Sequence, residues 1–148
     1  MSHSTTTNLL HLVWSTHSRK NSIPEELLQQ LWDYFTGTGY NKRIPVIAAG
    51  GICNHVHLGI ELPPTIKLSD AISAFKANSS RWLKEQGVKD FSWQNGYGAF
   101  SFGIPEVDQV RRYIHNQAER HRKCTFEEEF LELLKRAGVN YDPRHVFE

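Results

Sequence analysis

Between Leu9 and Phe102 the spacing of apolar residues switches repeatedly between the period of a strand and that of a helix, and the order of the switches leaves few folds open. Leu9 to Ser15 is a mostly apolar run of strand length. Ser22-Ile23-Pro24-Glu25-Glu26 then puts proline and two acids where a helix begins. Leu27, Leu28, Leu31, Trp32 and Phe35 form the apolar stripe of that helix, and Gly37 and Gly39 are expected to stop it. Ile44 to Ala49 reads as a second strand, Gly50-Gly51 as a turn or bulge, and residues 54–62 as a third strand ended by Pro63-Pro64. Leu68, Ile72, Phe75 and Trp82 share one face of a second helix, from about Leu68 to Gln86, which Gly87 stops. Gln94-Asn95-Gly96 is a turn signal before a fourth strand, Tyr97 to Phe102. Pro105 starts a third helix expected to run to about Lys123, and an acidic helix from Phe126 to Arg136 closes at Gly138 before an irregular tail. The order is β-α-β-β-α-β-α-α. Its first six elements are the split β-α-β pattern of ferredoxin-like, RRM-like α+β folds: an antiparallel sheet with helices on one face and the other face available for a site.

With no repeat, linker or low-complexity stretch, residues 1–148 are expected to form a single domain, its core at about 9–123 and the acidic helix and tail at 124–148. A 39% hydrophobic, 22% charged composition suits a soluble globular chain, and no apolar run approaches the ~20 residues of a membrane span. The polar stretch Met1 to Thr7 lacks the blocks of a signal peptide. Cys53 and Cys124 give neither a disulfide framework nor a zinc spacing, so the expectation is a reduced, cytoplasmic protein. The net charge of +1 is unevenly distributed: residues 1–124 hold 14 Lys/Arg against 10 Asp/Glu, and residues 125–148 hold 3 against 6. An acidic end thus masks a basic body, and phosphate binding depends on the local surface.

The strand Asn54-His55-Val56-His57-Leu58-Gly59-Ile60-Glu61-Leu62 alternates cleanly. Val56, Leu58, Ile60 and Leu62 face the helices, and His55, His57, Gly59 and Glu61 face the open side. Two imidazoles one pleat apart can chelate a divalent ion, and Gly59 leaves room beside them. A solvent-facing strand that happens to carry two of the eight histidines is the competing reading. His3, His11, His17, His115, His121 and His145 lack a partner at ligand spacing and are read as surface or core residues. A histidine-triad hydrolase would need histidine where Gly59 stands, and a cupin would need an all-β chain with a glycine where Leu68 stands.

In the third helix Val107, Val110, Ile114 and Ala118 recur at helical spacing as the buried stripe. Tyr113 and Gln117 lie about 85° from its centre at ~100° per residue, four apart and therefore neighbours, with Glu106 and Arg120 on the same margin. A border tyrosine and a solvated glutamine are the plain alternative.

Together these features resemble a known family. His55-Val56-His57 is similar to the histidine-hydrophobic-histidine (HUH) motif, and Tyr113-Ile114-His115-Asn116-Gln117 to the Tyr-x-x-x-Gln helix of single-tyrosine HUH transposases. These are the small transposases of the simplest bacterial insertion sequences, of the 200/605 type, with relatives associated with repetitive extragenic palindromes. The likeness runs from Leu12-Val13-Trp14-Ser15-Thr16 through Tyr97-Gly98-Ala99-Phe100-Ser101 to the tyrosine helix, about residues 9–123. Asn54 departs from the Asp that many relatives carry there, a change expected to be minor because residue 54 should point away from the metal face.

The resemblance implies cleavage of single-stranded DNA near a hairpin, with Tyr113 as nucleophile, a 5′-phosphotyrosine intermediate and subsequent strand transfer. It implies a divalent metal, Mg²⁺ or Mn²⁺, on His55, His57 and the carbonyl oxygen of Gln117. It also implies a homodimer, and the margin position of Tyr113 suits a cis or a trans site. Arg111, Arg112, Arg120, Arg122, Lys123, Lys76, Arg81 and Lys84 are candidate phosphate contacts, and Trp14, Trp93 and Tyr97 candidate base-stacking rings. Two further readings stay open: a domesticated relative that binds palindromic nucleic acid without cutting, and an unrelated metalloenzyme using the two histidines on a small molecule.

Overall fold

A computed structural model describes residues 2–147. It divides into two compact units, residues 1–117 and 118–148.

The first unit is built on four strands: β1 (Leu9–Ser15), β2 (Val46–Ile52), β3 (His55–Glu61) and β4 (Gly98–Phe102). They form one sheet in the order β2-β3-β1-β4, every neighbouring pair antiparallel. This is the expected ferredoxin-like α+β topology. Two long helices, α1 (Leu28–Lys42) and α2 (Leu68–Glu85), follow β1 and β3. Leu10, Leu12 and Trp14 of β1 and Val56, Leu58 and Ile60 of β3 join Leu31, Phe35, Ile72, Phe75 and Leu83 of the two helices in a single core. The period-two alternation that faced these residues one way is therefore the physical origin of the core.

Gly37 and Gly39 do not end α1, which runs to Lys42 and stops where Arg43 turns left-handed at φ 60°. The amide of Arg43 donates to the Tyr40 carbonyl, and that of Ile44 to the Gly39 carbonyl. Gly39 has another task. A Cβ there would lie 2.5 Å from the Ile44 carbonyl oxygen and 2.6 Å from Val46 Cγ2. The glycine lets the chain fold back tightly onto the helix and enter β2. Gly37, in the same helix, has nothing within 4 Å of such a Cβ. Gly39→Ala should therefore cost about 1–3 kcal/mol through overpacking. Gly37→Ala should stabilise by up to ~1 kcal/mol through helix propensity. Urea melts of the two variants will show opposite displacements of the midpoint.

Gly50 and Gly51 likewise lie inside β2, opposite His57 and Val56, and the register shift comes earlier, between Val46 and Ala48. Gly87, with φ 103°, does follow α2 as expected.

The third predicted helix is not continuous. A 3-10 turn (Ile104–Glu106) leads into α3 (Val107–His115), and Asn116, at φ −97° and ψ 22°, separates it from α4 (Gln117–Arg120). The break reverses the expected exposure: Gln117 is buried and Ala118 exposed. Helix α3 packs against β2 and β3. Its Ile114 stands over Gly50 and Gly59, on the face that also carries His55 and His57. The sheet face expected to be open is thus covered by the tyrosine helix.

In the second unit α5 (Phe126–Arg136) spans the predicted residues. Thr125 Oγ1 accepts the Glu128 amide proton, and the Glu128 carboxylate accepts the Thr125 amide proton in return, a capping box. Phe126, Phe130 and Phe147 pack together with ring centroids 5.8–6.5 Å apart. Glu129 is buried, 3.1 Å from both Arg120 Nε and His121 Nε2. Among the described residues no helix is long and apolar enough to cross a membrane.

Candidate active site

The histidine face of the sheet is assembled from β1 and β3 in antiparallel register. Ser15 is opposite His55, Val13 opposite His57, and His11 opposite Gly59. Side chains at alternate positions share a face, so His11, His55 and His57 come together. All three are buried, the last two at 0% exposure. The ring centroids of His55 and His57 are 5.0 Å apart.

Tyr113 lies on the turn of α3 that ends against this face. Its ring centroid is 5.8 Å from that of His57 and 5.6 Å from that of His11, edge-on to both. The tyrosine and the histidines of one chain are therefore neighbours. Four residues on, the side-chain amide of Gln117 is anchored by a 3.3 Å hydrogen bond from its nitrogen to the Tyr113 carbonyl. Its oxygen, Oε1, then points at His55 Nε2, 3.1 Å away.

The other nitrogen of His55 decides what that contact means. Nδ1 donates to Asn54 Oδ1 at 2.8 Å. Asn54 thus does not point away, as the strand alternation suggested. It is the second residue of the two-residue β2–β3 turn, where its short side chain folds back to the following ring. With the ring proton on Nδ1, Nε2 presents a lone pair to the lone pairs of the Gln117 oxygen. Two buried acceptors at this distance are reconciled either by a second proton on the ring, which Gln117 Oε1 would accept, or by a shared metal cation. Neighbouring ligands of an octahedral ion at ~2.1 Å stand about 3 Å apart, so the imidazole and amide donors fit a divalent metal.

The sequence reads His11 as a surface or core histidine with no partner at ligand spacing; the structure buries it and adds a partner across the sheet. Its Nε2 is 2.8 Å from His57 Nδ1. The ring is wedged edge-on between Phe100, centroid at 6.3 Å, and Tyr113. The sequence carried a partial signal, since His11 alternates with Leu10, Leu12 and Trp14. The register that sets it opposite Gly59 was not visible.

The basic candidates are scattered. Arg112, Arg81 and Lys84 are exposed. Arg81 donates to Asn78, and Arg111 pairs with Asp108 at 3.1 Å. Arg120 holds Glu129, and exposed Arg122 pairs with Glu119 at 3.5 Å. Lys123 is exposed. The half-buried Lys76 donates to the carbonyls of Gln94 and Gly96 at 2.9 and 2.6 Å, which ties down the turn before β4. Burial lowers its pKa from the usual lysine range. Trp14 is core, and Trp93 packs on Phe91 and donates to Ser79 Oγ, whereas Tyr97 is 41% exposed. Cys53 and Cys124 are free thiols, and burial beside Glu25 pushes the Cys53 thiol up.

An antiparallel ferredoxin-like sheet thus offers a histidine pair to a tyrosine-bearing helix, the arrangement that the resemblance implies. The chain belongs to the family described as Transposase IS200 like, which matches residues 4–117. Two solved structures share the fold. One is a candidate transposase from Deinococcus radiodurans R1, at 20% identity and TM-score 0.61, covering 79% of this chain and 96% of that one. The other is a REP-associated tyrosine transposase bound to a REP hairpin, at 15% identity and TM-score 0.58, covering 82% of this chain and 74% of that one. Among curated protein sequences nothing matches.

Proposed function

We propose that this transposase is a metal-dependent single-tyrosine HUH endonuclease acting on hairpin-bearing single-stranded DNA. The observation that carries the reading is the placement of Tyr113 against His57 in the buried cluster where His55 Nε2 faces Gln117 Oε1. His55, His57 and Gln117 would hold the metal. When bound, Mg²⁺ or Mn²⁺ supplies charge stabilisation to the scissile phosphate.

The remaining work falls to the chain's own groups. Tyr113 Oη attacks phosphorus, the bond from phosphorus to the 3′ oxygen breaks, and the phosphate stays on the tyrosine through its 5′ side. The departing 3′-OH takes up a proton, which balances the one lost by the phenol. Ring packing against His11 and His57 fixes the approach of the phenol. Because the phosphotyrosine bond retains the energy of the bond it replaced, a 3′-OH of another strand can reverse the step and complete transfer. Arg111, Arg112, Arg81, Lys84 and Arg120 are proposed to contact phosphates, and exposed Tyr97 to stack on a base. A homodimer, which the resemblance implies, would carry two such sites, and the single-chain neighbourhood of Tyr113 and His57 favours cis chemistry. The REP hairpin held by the structural relative makes palindromic hairpins the substrates to try first.

Incubation of the protein with a panel of labelled hairpin oligonucleotides and Mn²⁺ should give an adduct that survives boiling in detergent. Chelation with EDTA should reduce it at least ~100-fold, and Mn²⁺ or Mg²⁺ should restore it. Tight binding of hairpins in EDTA with no adduct in either metal would instead establish the non-cleaving binder.

A further inference from the structure

We infer that His11 is a positioning residue for the metal site, acting as the hydrogen-bond acceptor that holds His57 in its ligand-competent tautomer. This inference rests on the metal reading above and adds a residue to it.

His11 Nε2 and His57 Nδ1 are 2.8 Å apart and buried, so one hydrogen lies between them. It has two possible homes. If it belongs to His11 Nε2, neutral His57 carries its own proton on Nε2 and has no lone pair there for a metal. If it belongs to His57 Nδ1, Nε2 is bare and can ligate. A cation at His57 Nε2 selects the second arrangement, and His11 must then accept through Nε2 with its own proton on Nδ1. The second nitrogen of a metal-bound histidine ordinarily donates in this way, and loss of such a partner typically costs ~10–100-fold in metal affinity.

Three features of the fold make His11 suited to the role. Its ring is clamped edge-on by Phe100 and Tyr113, with centroids 6.3 and 5.6 Å away, so it cannot swing aside without displacing either. It stands opposite Gly59 and therefore diagonal to His57, a separation that two imidazole side chains can span. On the neighbouring histidine the same task falls to Asn54, which accepts from His55 Nδ1 at 2.8 Å. Each proposed imidazole ligand therefore has its own acceptor, from different elements: the turn residue Asn54 for His55 and strand β1 for His57. Because His11 also touches the Tyr113 ring, it links the orientation of the ligand to that of the nucleophile.

The test is Mn²⁺ titration by calorimetry of the full chain and three variants, without DNA. His11→Leu keeps an apolar filling but has no acceptor and should bind Mn²⁺ at least ~10-fold more weakly than the parent. His11→Gln can place a carbonyl oxygen near the position of Nε2 and should recover affinity to within ~3-fold of the parent, whereas His11→Asn, one bond shorter, should resemble His11→Leu. A packing role alone would not separate Gln from Asn in this way. Long-range ¹H–¹⁵N spectra of the parent with Mg²⁺ give a second readout that needs no variant. They should show His57 protonated at Nδ1 and His11 at Nδ1. Parent-like Mn²⁺ affinity in His11→Leu, equal weakness in His11→Gln and His11→Leu, or a His57 protonated only at Nε2 would each overturn the inference while leaving a metal site standing. A parent that binds no Mn²⁺ would overturn the metal reading itself, and the role of His11 with it.

Discussion

Tyr113→Phe should abolish the covalent adduct with hairpin DNA completely and lower strand cleavage at least a thousandfold, roughly the scale of removing an enzymatic nucleophile. The substitution deletes one oxygen and leaves the ring. That ring is what packs against His11 and His57, at 5.6 and 5.8 Å. Gln117 is held by the backbone carbonyl of residue 113, not by its hydroxyl, so the amide oxygen still faces His55. Metal affinity and hairpin binding should therefore stay within ~3-fold of the parent, and loss of the hydroxyl should cost no more than about 1.5 kcal/mol of unfolding free energy, the scale of one side-chain hydrogen bond. The measurements are a detergent-gel assay for the adduct, Mn²⁺ calorimetry and a urea melt. A surviving adduct would move the nucleophile elsewhere. Loss of metal binding along with the adduct would make Tyr113 a structural part of the site.

The geometry of this cluster was only partly legible in the sequence. Period-two alternation in residues 54–62 faces His55 and His57 the same way whatever the rest of the fold does, and the order of elements led to the sheet topology. Contacts that depend on register were hidden. His11 reaches His57 only because β1 and β3 pair with residue 11 opposite residue 59. Nothing local to Leu10-His11-Leu12 encodes that number. Asn54 was misplaced for a different reason: alternation describes the direction of Cβ, and a short amide in a turn can fold back to the next residue. The glycines were misread because glycine has two uses, permissive torsions and absent bulk, and sequence does not say which applies. Gly39 and Gly50 were read as punctuation and are points of close approach. Helical periodicity continued past Asn116 while the helix did not, which is why Ala118 was expected inside and Gln117 at the margin.

Gly50→Ala is expected to have the second largest effect. A Cβ at this position would lie 2.1 Å from the backbone oxygen of Ile114 and 3.0 Å from its carbonyl carbon. The obstacle is main chain, so no rotamer change relieves it. Either β2 bends or α3 lifts by roughly 1 Å to restore ordinary contact, and overpacking of this kind costs about 1–3 kcal/mol. Ile114 is the immediate neighbour of Tyr113, so lifting the helix carries the proposed nucleophile away from His57. It also draws Gln117 away from His55, because the same turn of helix anchors the amide. A displacement of ~1 Å at a reacting group costs about a hundredfold in rate. Gly50→Ala should thus lose about two orders of magnitude in adduct formation and bind Mn²⁺ more weakly, while hairpin binding through exposed basic residues falls far less. Gly37→Ala, with open space at its Cβ, is the matched control and should retain full activity. If Gly50→Ala cleaves like the parent, the close seating of α3 on β2 is not what sets the geometry of the site. If it fails only in stability, and recovers activity at low temperature where it is fully folded, the contact belongs to the fold alone. The outcome that supports the seating argument is a folded variant whose tyrosine is intact in sequence and silent in chemistry.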